Sequence, residues 1–131
     1  ADGQFHFLET AARVGGAHID KMVEAATGVA LWQEAARIEL ADVRGAAYVV
    51  PEHRQDYAGL IICLARDEWP DLSAYNDPEV VWRVPRANHA GLLVASSDPA
   101  RVSQLLDQYN ERFARDFLAH APQTKQARTT L

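Results

Sequence analysis

Apolar and polar residues alternate over Phe5-His6-Phe7-Leu8-Glu9, the two-residue period of a strand with one wet face. Asp2-Gly3 stands just before that run, and Asp-Gly is a strong hairpin-turn signal because both turn positions need positive φ. Only Ala1 precedes the turn. The expectation is that the chain begins inside a hairpin and is the C-terminal piece of a longer protein. The pattern then changes period. Ile19, Met22, Val23 and Ala26 fall at i, i+3, i+4 and i+7, one face of a short helix, and Gly28 is placed to end it. A second helix is expected from Leu31 to about Leu40, with Leu31, Ala35 and Ile38 on its apolar side and Trp32 and Ala36 beside them. Strands are expected at 47–50, 58–65, 79–84 and 91–95. Leu60-Ile61-Ile62-Cys63-Leu64 is continuously apolar, which predicts a strand covered on both faces. Ser97-Asp98-Pro99 reads as an N-cap with proline in the first helical turn. The last helix carries Val102, Leu105, Leu106, Tyr109, Phe113 and Phe117 on one stripe and should end near His120, before Pro122. The pattern predicts an α+β fold, a mainly antiparallel sheet packed with helices.

Composition narrows the class. The chain has 131 residues, which suits a single domain, and its 48% hydrophobic and 24% charged residues are ordinary for a globular protein. A net charge of −5 argues against nucleic acid as a partner. No run approaches the ~20 apolar residues of a membrane span. The single cysteine, Cys63, excludes an internal disulfide and fits a reducing compartment, so a cytoplasmic location is expected. Within an apolar strand and without a nearby activating group, Cys63 reads as an inert thiol. No two histidines have the spacing of a helical metal site.

Chemistry concentrates near the start. Phe7-Leu8-Glu9 ends the first strand, Arg13 follows four residues after Glu9, and Gly15-Gly16 leads through His18 into the first helix. Then come Thr27-Gly28 and the second helix from Leu31-Trp32-Gln33-Glu34. A strand-end carboxylate is a hard oxygen ligand suited to Mg²⁺. Arg13 is a fixed fork of N–H donors for an oxyanion, or for charge developing in phosphoryl transfer. Gly15 and Gly16 let backbone N–H groups approach a ligand closely.

This order resembles the end of the ATP-binding domain in the ATP-grasp family, on its biotin carboxylase and carbamoyl-phosphate synthase branch. The carboxylate–amine ligases are the nearest group. The match covers residues 4 to about 44, and from residue 58 onward it extends only to the general shape of the family's C-terminal subdomain. The resemblance implies that residues 1–45 close the ATP-binding domain and that 46–131 form a C-terminal subdomain. It implies ATP and Mg²⁺ as cofactors, with Glu9 on the metal and Arg13, Gly15, Gly16 and His18 toward the nucleotide or substrate. Arg13 would also be catalytic. The substrates implied are a small-molecule carboxylate and an amine, joined through an acyl phosphate. The family often has Asn two residues after the Glu, where this chain has Ala11, and a capping Asp or Asn where it has Ala30. The family's phosphate-binding lysines and second metal-binding Glu lie upstream, so this chain alone is expected to be catalytically silent.

Other readings stand beside these. Arg13 can simply pair with Glu9, and His18 can cap a helix. Trp69, Tyr75 and Trp82 can plug the core or line a ligand surface. Arg101, Arg112 and Arg115 lie among Asp107, Glu111 and Asp116, a mixed solvated face. The alternative for the whole chain is a stand-alone α+β binding or assembly module without ATP chemistry. An unpaired hairpin strand further predicts strand-mediated self-association, including a homodimer.

Overall fold

The computed structural model describes residues 13–119. The strand expected over 4–9, with Glu9, lies outside them, as does the polar tail. The elements in order are α1 (Ile19–Thr27), α2 (Leu31–Val43), β1 (Tyr57–Leu64), β2 (Val80–Arg83), β3 (His89–Ser96) and α3 (Pro99–Asp116). This is an α+β fold.

The sheet has three antiparallel strands in the order β1-β3-β2. Central β3 must satisfy both neighbours and both faces, and its sequence suits that place. Ala90, Leu92, Leu93 and Val94 are all buried. Side chains alternate across a strand. Ala90, Leu92 and Val94 join the core against α3, whereas Leu93 faces the side of α1.

Asp98 starts α3 by accepting a hydrogen bond from Ala100 N at 2.9 Å, with Pro99 in the first turn. The buried stripe Val102, Leu105, Tyr109 and Phe113 follows. Tyr75, from the loop before β2, stands edge-on to Tyr109 and Phe113 with centroids 5.2 and 5.1 Å away. A buried tyrosine needs a partner for its hydroxyl. Tyr75 donates to Asp116 Oδ2 at 2.8 Å, and Tyr109 donates to Asp77. Burial first, and those carboxylates second, push both phenols up to about 12.

The first helix is tied to the sheet by polar contacts. Thr27 O accepts from Arg54 N at 2.9 Å and Ala26 O from Asp56 N at 3.1 Å. The Arg54 guanidinium also donates to Ala25 O at 3.1 Å. Gly28 takes the left-handed conformation (φ 80°) expected after a helix.

Four expectations need correction. No strand forms at 47–50. That segment is held by a side chain, Tyr48 on Glu34, and Val49 and Val50 stay exposed. The second helix continues to Val43, and the chain turns at Gly45 (φ 60°). The third ends at Asp116 because the chain then joins the end of β1: Leu118 bridges Ala65, and Ala119 N donates to Leu64 O at 2.9 Å. β1 is also not covered on both faces throughout. Leu60, Leu93 and Trp82 form one row across the sheet, under α1. Ile62 and Leu64 lie in rows beyond it and are 41% and 60% exposed.

Candidate functional site

The turn from Arg13 to His18 enters α1 along an unusual backbone. Gly16 O accepts from Ile19 N at 3.1 Å, and Ala17 and His18 both have positive φ, 52° and 64°. Non-glycine residues adopt that region at a cost of order 1–3 kcal/mol, and such residues concentrate at ligand sites. Glycine is required at 15, where a Cβ would stand 2.9 Å from Ile19 Cγ2. At Gly16 a Cβ would meet only the Arg13 guanidinium at 3.8 Å, an ordinary contact.

The turn divides the expected site residues between two sides. Arg13 and Gly15 line a cavity of about 370 Å³ whose other walls come from α2 and the 48–51 segment. His18 instead stands beside β2, its ring 5.0 Å from the Trp82 ring and tilted 59°. It occupies the N-cap position of α1, but its side chain makes no capping bond. Arg13 is exposed, and among the described residues its guanidinium reaches the Val14 carbonyl at 3.4 Å.

The residue that sequence reasoning missed is Glu34. It is the buried charged residue of the described chain, 7% exposed, and it lines the same cavity as Arg13. Its Oε1 accepts from Arg37 Nη1 at 2.6 Å and its Oε2 from the Tyr48 hydroxyl at 2.8 Å. That bond to the carboxylate raises the Tyr48 phenol above its usual range. The signal was present in the sequence. Glu34 sits three residues after Leu31 and four before Ile38, inside the apolar stripe of α2. A charge in that stripe needs partners.

Chemically, the Arg13 side suits an anion. Asp20 in the first turn of α1 works against a phosphate directly at that helix end. Among the described residues no three His, Cys, Asp or Glu side chains converge as a metal site, and Glu9 lies outside them. Burial pushes the Cys63 thiol up, which keeps it protonated and poorly nucleophilic.

The aromatic triplet does not share a surface. Trp69 is 67% exposed, Tyr75 is in the core, and Trp82 packs on His18. The arginines of α3 are more engaged than a solvated face requires. Arg101 grips Glu79 at 2.8 Å and Asp77 at 3.2 Å, and Arg112 lies 4.0 Å over the Tyr75 ring. Among the described residues no helix is long and apolar enough to cross a membrane. In comparisons with family models, curated proteins and solved structures, nothing matches the chain.

Proposed function

We propose that the chain is the C-terminal part of an ATP-grasp ligase, which joins a small-molecule carboxylate to an amine through an acyl phosphate. One observation carries the reading: the Arg-x-Gly-Gly turn enters α1 through two successive left-handed residues and presents Arg13 and Gly15 to a cavity. In this reading Mg²⁺-ATP supplies the activating phosphoryl group. Glu9 contributes one carboxylate to the metal, and Arg13 offsets charge on the transferring group or the acyl phosphate. Gly15 keeps the turn close to the helix, where a side chain would collide with Ile19. His18 takes a positioning role, since its ring holds the turn against Trp82.

The test is Mg-ATP binding by a longer polypeptide that carries these residues together with the segment preceding them. Tight binding is expected, with Glu9→Ala abolishing it and Arg13→Ala reducing turnover more than nucleotide affinity. Absence of Mg-ATP binding by the longer protein would sink the ligase reading.

A further inference from the structure

Two opposite charges share one cavity, and the ligase reading uses only one of them. Arg13 supplies the positive side. Glu34 supplies a carboxylate that is more than nine-tenths buried, between apolar walls formed by Val29, Leu31, Ala35 and Ile38. Arg37, which neutralises Glu34 in part, approaches from the solvent side: its side chain is 62% exposed and it does not line the cavity. Each carboxylate oxygen carries two acceptor sites, and among the described residues each has one protein donor, which leaves acceptor capacity on both. A bridge to Tyr48 alone would be served by a neutral glutamine. A buried charge is costly unless it is paired, and Arg37 pairs it through Oε1 from the solvent side, which leaves the cavity side of the carboxylate to a second cation.

We propose that this cavity is an amine-binding site, taking a small aliphatic primary ammonium ion with its charge on Glu34 and its branched body against Leu31, Ala35 and Ile38. The volume of about 370 Å³ lies at the small end of the range of about 300–1,000 Å³ typical of ligand sites, which suits a ligand of side-chain size. Tyr48 holds the carboxylate in place and is a positioning residue. The assignment rests on the ligase reading only in naming the amine a substrate. There, Glu34 selects the amine while Arg13, on another wall, faces the anionic partner, so the two reactants meet in one cavity.

The test uses the 131-residue chain without nucleotide. Isopentylamine and isopentyl alcohol have the same body and differ in charge. Chemical-shift titration at neutral pH should show saturable millimolar binding of the amine, about tenfold tighter than the alcohol, as expected for a hydrogen bond to a charged group. Glu34→Gln keeps an acceptor for Tyr48 and should bring the amine down to the alcohol's affinity while leaving the alcohol unchanged. Isocaproate, the anionic analogue, should bind less well than the amine to the unaltered chain. Equal binding of amine and alcohol overturns the proposal, as does the absence of saturable binding by either. The amine-versus-alcohol comparison needs no variant, so it stands even if Glu34→Gln fails to fold. Amine binding beside a failed Mg-ATP test on the longer protein would remove the ligase reading and leave the site.

Discussion

At the scale of single residues, the fold handles buried and half-buried tyrosine hydroxyls by pairing them with carboxylates. Tyr75 with Asp116, Tyr109 with Asp77 and Tyr48 with Glu34 repeat one solution at three places. The first two sit in the core, and their pH behaviour follows from the sign of the shift. Both phenols are raised from 10.0 to about 12 in the folded chain. The native state therefore holds these protons more firmly than the unfolded chain does. The associated stability is complete below pH 10 and is lost as pH rises toward 12. Urea unfolding measured across that window should show a falling unfolding free energy. Tyr75→Phe together with Tyr109→Phe should flatten the slope. An unchanged slope in the double variant would place the alkaline sensitivity elsewhere.

At the scale of elements, tight packing of β1 and β3 depends on two glycines. A Cβ at Gly91 would lie 2.5 Å from Val84 Cγ2 and 3.1 Å from Ile62 Cγ1. A Cβ at Gly59 would lie 2.5 Å from Leu106 Cδ1. Leucine can swing the end of its side chain, whereas valine is stiff at χ1. Gly91→Ala should therefore destabilise more than Gly59→Ala, within the overpacking range of about 1–3 kcal/mol, as read by chemical denaturation. A reversed order would mean that Val84 moves more readily than Leu106. The elements themselves were largely legible. Ile19, Met22, Val23 and Ala26 announced α1, and Asp98-Pro99 announced the start of α3. What escaped were features set by tertiary partners. Nothing local in Tyr48-Val49-Val50 says that a side chain on α2 holds it in place of a ladder. The end of α3 depended on β1 offering Leu64 O to Ala119. Of the candidate site, Arg13 and Gly15 line one cavity, whereas His18 stands on the other side of the turn beside Trp82. Glu34 was hidden because a charge on an apolar stripe reveals its role only when its two donors are known.

At the scale of the whole molecule, the described chain is uneven in depth. The buried apolar residues all lie between 65 and 117, and neither α1 nor α2 contributes one. Local stability follows buried apolar contact. Amides of α2 should exchange with solvent at least roughly tenfold faster than those of Leu92, Val94 and Leu105, because they open without the core opening. Uniform protection across both parts would show that α1 and α2 unfold only with the sheet. The candidate site lies in this shallower half, between Arg13 and Glu34. A ligand bound there would stabilise the weaker part, and its arrival should be visible as slowed exchange in α2.

The clasp of Arg54 on the last carbonyls of α1 has a consequence for chain length. It fixes the return of the backbone to the sheet without using the turn at Gly45 and Ala46, and Tyr48 on Glu34 secures the stretch between. A Cβ at Gly45 would meet nothing within 4 Å. Gly45 N and Ala46 N cap α2 on Asp42 O at 3.0 Å and Ala41 O at 2.9 Å, so the freedom begins only after Ala46. Extra residues inserted between Ala46 and Ala47 would leave those bonds in place and cost mainly closure entropy, about 0.6 kcal/mol for each doubling of the loop. The Ala46-Ala47 junction is thus the place where this chain can accept a tag, a fluorophore or a grafted loop while the cavity beside α2 keeps its walls.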